Sequence, residues 1–235
     1  MAVGIARRVF GPSHTIRSAG AETSGGEPAA SNAVTVMSEI GCDISEHSSV
    51  DIATLDLASF DLIVVFRPSA AESVSVPRNV RVEYLDVRDP LGHPLDTYRT
   101  AARSIQRGVR RLYVEDALRR TSGANNPAGS HLFGILSRAA KECEKEVAEF
   151  VTQHLGVSAH EKVTLGQLAR CIEEHAASHN TPELAAISTA VAQVNDLWVK
   201  LKHREDPAPE DMIAGLEGML KVFQLLDNRL TSAST

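Results

Sequence analysis

Hydrophobic and polar positions follow two rhythms in the first half of the chain. Residues 2–10, AVGIARRVF, set Val3, Ile5, Ala6, Val9 and Phe10 on one helical face and Arg7-Arg8 on the other, and Gly11-Pro12 stops the run. Ile16, followed by the small residues Ser18-Ala19-Gly20, predicts a strand over 14–18 that ends close to neighbouring backbone. Ser24-Gly25-Gly26-Glu27-Pro28 marks a loop. Ala30, Ala33, Val34, Met37 and Ile40 then recur at helical spacing, with Gly41 where that helix would end. Asp51 to Phe60 reads as a short helix and turn, with Leu55 and Leu57 inward. Asp61-Leu62-Ile63-Val64-Val65-Phe66 reads as a continuous apolar strand, the pattern of a parallel strand buried on both faces. Arg67 to Val76 reads as a loop with a short helix, and Val80, Val82, Tyr84 and Leu85 mark another strand. Leu95 to Arg120 is a long helix with a stripe of Tyr98, Ala102, Ile105, Val109, Leu112 and Leu118. Strand and helix alternate, which predicts an α/β domain over residues 1–120.

The rhythm then changes. Thr121 to Ser130, TSGANNPAGS, has the composition of a linker, and no strand pattern follows it. Four helical patterns fill residues 131–235: His131–Leu155, Val163–Ser178, Leu184–His203 and Met212–Leu230. Gly156 ends the first. Thr181 and Pro182 read as N-cap and first residue of the third, and Pro207 and Pro209 break the chain before the fourth. Short breaks between amphipathic helices predict an α-helical bundle.

Charge and composition narrow the classes. The 235 residues carry a net charge of −6, which argues against nucleic-acid binding over the whole surface. No apolar run approaches the ~20 residues of a membrane span. Arg7 and Arg8 interrupt the first apolar stretch, unlike a signal peptide. Three widely spaced cysteines suit a reducing compartment, so a cytoplasmic location is expected.

The order of motifs SAG, VMSEIGCDISEHSS, FDLIVVF and VRDPLG resembles the low-molecular-weight protein tyrosine phosphatase and arsenate reductase superfamily, over roughly residues 1–118. The resemblance implies a parallel-sheet phosphatase-like fold, and neither a cofactor nor a metal is expected. It also implies a phosphoester substrate, hydrolysed through a cysteinyl-phosphate. The family's general acid is an Asp followed by Pro in the loop after the last strand, and Asp89-Pro90 matches it. Such an acid protonates the departing oxygen as a thiolate attacks phosphorus. Leu91-Gly92 follows, where the family usually has an aromatic pair, so tyrosyl-phosphopeptide preference is not implied.

Relatives open with a buried strand and a phosphate-binding Cys-x5-Arg loop, and no Cys-x5-Arg occurs within the 235 residues. The chain thus reads as a phosphatase-like domain with first strand and phosphate loop missing, followed by the bundle. These 235 residues by themselves are expected to be inactive. That first strand would lie mid-sheet, where its loss leaves backbone groups unpaired. Two arrangements would satisfy them. In one, Met1 is an internal Met of a longer phosphatase. In the other the loop is lost, and a partner or a rearrangement fills the gap. The second describes a non-enzymatic pseudophosphatase that associates, as a homodimer or with a partner, through its helices.

Other candidate chemistry has simpler readings. Cys42 stands where relatives usually carry an aliphatic residue and reads as a buried structural thiol. Cys143 and Cys171 read as core positions of the helices, so no redox relay is expected. His175 and His179 share a helical face but lack a recognisable third ligand, and read as a solvated polar face. The stretch Val194 to His203 resembles a late helix of HEPN-type bundles, some of which are ribonucleases with an Arg-x4-6-His pair. Trp198 occupies the Arg position, and Arg170 with His175 is a spacing that chance supplies easily, so ribonuclease chemistry is not expected.

Overall fold

An amphipathic helix opens the chain. This computed structural model describes residues 1–66, 75–122, 129–157, 163–203 and 208–232. Its residues group into two compact units, Met1–Val109 and Arg110–Thr235.

In the first unit, α1 (Ala2–Phe10) buries Val3, Ile5 and Val9 and leaves Arg7 and Arg8 exposed, as its pattern predicts. Gly11, at φ 77°, ends it. A Cβ on Gly4 would stand 3.0 Å from both Ile44 Cγ2 and Met37 Cε, so a glycine lets α1 lie close against α2 (Ser31–Glu39). Helix α2 buries Ala33, Val36 and Met37, and Gly41 follows at φ 71°.

The strand expected over 14–18 does not form. Extended backbone becomes a strand only when a neighbour takes its hydrogen bonds, and residues 14–19 enter no ladder among the described residues. Only Gly20 pairs, in an isolated parallel bridge with Asp51: its N–H donates to Val50 O at 2.9 Å and its carbonyl accepts from Ile52 N at 3.1 Å. The Gly-rich loop beyond is stitched to residues 47–49 by Ala29 N to His47 O (3.1 Å), Ser49 N to Glu27 O (2.8 Å) and Gly26 N to Ser49 O (2.9 Å). The helix expected within 51–60 is two 3-10 turns, Ile52–Thr54 and Leu57–Ser59, with Leu55 and Leu57 half-buried. Asp51 and Asp56 cap them, accepting from Ala53 N at 2.9 Å and Ala58 N at 3.1 Å.

Strands β1 (Leu62–Phe66) and β2 (Arg81–Leu85) pair in parallel, from Leu62 opposite Arg81 to Phe66 opposite Leu85. The short helix expected between them lies largely in 67–74, outside the described residues. All five residues of β1 are half-buried, so burial on both faces is not reached. The sheet of the described residues has two strands, and β1 has β2 as its one neighbour there.

Helix α3 (Leu95–Ser122) returns across β2. Its second turn is tied to the end of α2: Arg99 gives Glu39 two hydrogen bonds, Nε to Oε2 at 2.9 Å and Nη2 to Oε1 at 2.6 Å. Gly108 faces Leu85. A Cβ there would lie 2.6 Å from Leu85 Cδ1 and 3.2 Å from Cγ, inside buried packing. Gly108→Ala should gain about 1 kcal/mol of helix propensity but lose about 1–3 kcal/mol to overpacking. The expected result is faster hydrogen exchange of the β1 and β2 amides. A second change, Leu85→Ala, should restore part of the protection that the clash removes.

The second unit begins inside α3, whose buried stripe shifts to Arg110, Val114, Ala117 and Thr121. Helices α4 (Gly129–His154), α5 (Leu165–His179), α6 (Pro182–Lys202) and α7 (Pro209–Ser232) follow. Helix α4 packs on α5 and α7, and α6 packs on the same two, which closes a ring. Its interior is apolar, with Cys143, Val147, Ile172, Val191, Val222 and Phe223 fully buried. The expected linker is shorter than its composition suggests: Thr121 and Ser122 end α3, Gly129 and Ser130 begin α4, and 123–128 lie outside the described residues. Pro207 also lies outside them. Thr181 sits at the N-cap of α6, but its hydroxyl donates to His179 O at 3.4 Å instead of capping. Asn180, at φ 50°, makes the left-handed turn between α5 and α6.

Candidate functional site

Asp89 stands beyond the carboxyl end of β2, where parallel α/β sheets bind ligands. Its loop is built from both sides. Val87, buried, anchors the entry, and Asp89 Oδ1 accepts from Leu91 N at 3.0 Å, an Asx turn that fixes the side chain. Gly92, at φ 77°, completes a turn in which His93 N donates to Pro90 O at 2.9 Å. Asn32, in the first turn of α2, donates to His93 O at 3.4 Å and ties the loop to that helix. The Asp89 residue is solvent-exposed, as an acid that meets a substrate must be.

The first turn of α1 is the second feature. It carries no side-chain cap, and its helical bonds begin with Gly4 N and Ile5 N donating to Met1 O. Free N–H groups at a helix start favour an anion. A groove of about 440 Å³ runs between α1 and residues 41–47, lined by Arg7, Arg8, Cys42, Asp43, Glu46 and His47 among others. Asp89 is not in its lining. His47 is pushed below the ordinary imidazole range by burial first and then by the chain's amino end and Arg7, which keeps the ring neutral.

Cys42 and Cys143 are core groups, whereas Cys171, expected as a core position, is not. Cys42 is 7% exposed, with Sγ 3.9 Å from Gly4 O and 4.0 Å from the Arg8 guanidinium. Cys143 is fully buried, and burial, then Glu146 and Glu144, push its thiol far up, so it holds its proton. Cys171 is half-buried. All three are free, and two of them lie in the second unit. No three His, Cys, Asp or Glu side chains among the described residues gather as a metal site.

Trp198 is half-buried and stacked on Phe133, with ring centroids 5.6 Å apart, and Lys202 Nζ stands 4.6 Å from its centroid. Arg170 is exposed, and His175 stacks on His179. Sequence reasoning missed the charged cluster beneath α3. Arg110, 5% exposed, reaches Glu146 Oε2 at 3.0 Å, Glu149 Oε1 at 2.7 Å and Glu142 Oε2 at 3.4 Å, and Lys145 reaches Glu142 at 2.5 Å. Burial works against the Arg110 charge, but Glu149 and Glu146 outweigh it and raise its pKa.

These features define an α/β protein whose candidate chemistry lies beyond the carboxyl ends of parallel strands, joined to a helical region. Residues 1–122 match the sequence model of the low molecular weight phosphotyrosine protein phosphatase family, and the chain belongs to that family. Arsenate reductase 2 of Staphylococcus saprophyticus is 32% identical over 114 residues, covering 48% of this chain and 85% of that protein. An arsenate reductase of Staphylococcus aureus is 35% identical over 95 residues, 40% of this chain and 70% of its own. That of Staphylococcus xylosus is 36% identical over 93 residues, covering 39% and 69%. No solved structure matches significantly. No helix among the described residues is long and apolar enough to cross a membrane.

Proposed function

We propose that the α/β half serves phosphoester hydrolysis of the cysteine-dependent kind, with Asp89 as general acid. The observation that carries this reading is the Asp89 loop: an exposed carboxyl beyond a parallel strand, oriented by its own Asx turn and tied to α2 through Asn32. In the reaction a thiolate attacks phosphorus, the bond from phosphorus to the ester oxygen breaks, and Asp89 delivers a proton to that oxygen. Water then attacks the cysteinyl-phosphate, with the Asp89 carboxylate as base. The thiolate and its phosphate-holding arginine belong to a Cys-x5-Arg loop, a motif that the 235 residues do not contain.

The test compares two polypeptides. The 235-residue chain should not hydrolyse 4-nitrophenyl phosphate. The same chain joined behind a β-strand and a Cys-x5-Arg loop should turn it over, and its Cys→Ser variant should not. A folded, joined chain without turnover would sink the enzymatic reading and leave the helical region, as a dimerisation or partner-binding element, the thing to explain.

Arsenate reduction is the second reading, supported by what the similar staphylococcal proteins are called. A thiol relay would need a second sulfur within reach of the first. Cys42 is the only cysteine of the Met1–Val109 unit, and it is buried. Arsenate turnover by the joined chain that vanishes in Cys42→Ser, with phosphoester turnover intact, would favour this reading.

A further inference from the structure

The most exposed large apolar side chain among the described residues stands beside the proposed acid. Leu91 is 71% exposed, ahead of Tyr84, Val157 and Val199. Its place is fixed by the acid itself, since Leu91 N donates to Asp89 Oδ1 at 3.0 Å. With an N–Cα bond of ~1.46 Å, Leu91 Cα stands no farther than about 4.5 Å from that carboxyl oxygen. Residues 90–93 form a turn closed by His93 N donating to Pro90 O at 2.9 Å, with Gly92 at φ 77° in its third position. That is a type II turn, which requires glycine at 92 and asks nothing apolar of position 91. Turn positions are dominated by Gly, Pro, Asn, Asp and Ser. Neither core packing nor the turn therefore accounts for a leucine here. A lone exposed leucine is ordinary on a free surface, but this one is bonded through its own N–H to the carboxyl that meets the substrate.

We propose that Leu91 is the contact for the leaving group, and that the substrate is a phosphate monoester whose alcohol is apolar next to the ester oxygen. The proposal rests on the reading of Asp89 as general acid. An ester oxygen taking the Asp89 proton stands about 2.5–3.0 Å from the carboxyl. The carbons on that oxygen then fall beside the Leu91 side chain, and their contact removes apolar surface from water. A branched aliphatic side chain rewards apolar bulk from any direction, whereas an aromatic one rewards a ring at particular orientations. Flat and puckered alcohols of equal size should serve alike. A polyhydroxylated alcohol, whose polar groups would lose water against leucine, should serve poorly.

The test uses the chain joined behind a strand and a Cys-x5-Arg loop, with three primary alkyl phosphates: benzyl phosphate, cyclohexylmethyl phosphate and glycerol 3-phosphate. Intrinsic reactivity cancels when ratios of kcat/KM are compared between parent and variant. The parent should favour the benzyl and cyclohexylmethyl esters alike over glycerol 3-phosphate. In Leu91→Ala both preferences should fall by about tenfold, the scale of a few methylenes lost from a partly covered contact. The loss should sit in KM more than in kcat. Leu91→Met, which keeps the apolar bulk, should restore both preferences. Unchanged ratios in Leu91→Ala would overturn the proposal. So would equal slowing of all three esters, or a shifted pH profile on 4-nitrophenyl phosphate, because either would leave Leu91 a part of the turn alone. A folded joined chain that fails even on 4-nitrophenyl phosphate would sink the Asp89 reading first, and this proposal with it.

Discussion

Replacing Arg110 by leucine should markedly destabilise the helical region. The substitution removes an arginine that bonds Glu146 and Glu149 and faces Glu142. Glu142 and Glu146 are each at most 5% exposed, so water cannot take its place without opening the packing. Breaking a buried ion pair from one side typically costs about 3–5 kcal/mol, because the stranded charge keeps its desolvation penalty. Lys145 remains on Glu142. The single tryptophan, Trp198 of α6, reports this unit, so the loss reads directly as a lower denaturant midpoint of its fluorescence. The sign of the pH effect also follows. In the variant a buried carboxylate is relieved by taking up a proton, so the folded state binds more protons than the unfolded one. Stability of the variant relative to the parent should then recover as pH falls. A triple change of Arg110, Glu142 and Glu146 to apolar residues of similar size should cost far less than Arg110→Leu alone.

Replacing Asp89 by asparagine should be the most damaging single change to catalysis, outside the Cys-x5-Arg loop itself, in the chain joined to that loop. Asparagine keeps the shape and an oxygen that can accept from Leu91 N, so the turn at 3.0 Å survives. It has no proton to give the leaving oxygen. General acid catalysis contributes about 10²–10⁴-fold, and kcat should fall on that scale. Substrate binding should change little, because the phosphate is held elsewhere. Asn32→Ala should act more mildly: it removes the 3.4 Å bond to His93 O and loosens the loop without touching the acid.

Much of the fold was legible in the chain, and the exceptions have physical causes. Helix α1 read correctly because its periodicity and its Gly11-Pro12 stop agree. The paired strands β1 and β2 read correctly because short apolar runs bounded by turns leave few alternatives. Family membership was legible in the order of the SAG, FDLIVVF and RDP motifs, and the match over residues 1–122 bears it out. The expected strand over 14–18 was not legible as loop, since a strand depends on a neighbour that its own residues do not specify. The continuous apolar run of β1 predicted two-face burial for the same reason: sequence registers what a strand could cover, not which neighbours are present. The Arg110 cluster escaped because Glu142, Glu146 and Glu149 recur at helical spacing and resemble a solvated face. The one signal was the pair Arg110-Arg111 between Val109 and Leu112, amid the buried stripe of α3. The start of α5 had a readable sign that went unused: Thr164-Leu165-Gly166-Gln167 is a capping box, with Thr164 N donating to Gln167 Oε1 at 2.9 Å.

The measurement that tests the central claim most directly is the dependence of turnover on the leaving group. Aryl phosphates from strongly to weakly acidic phenols would be hydrolysed by the joined chain and by its Asp89→Asn variant. With Asp89 as proton donor, the joined chain should show nearly constant rates across the series, while the variant falls progressively behind as the phenol becomes less acidic. Two parallel profiles, with the variant slowed equally or not at all, would contradict a general-acid role for Asp89.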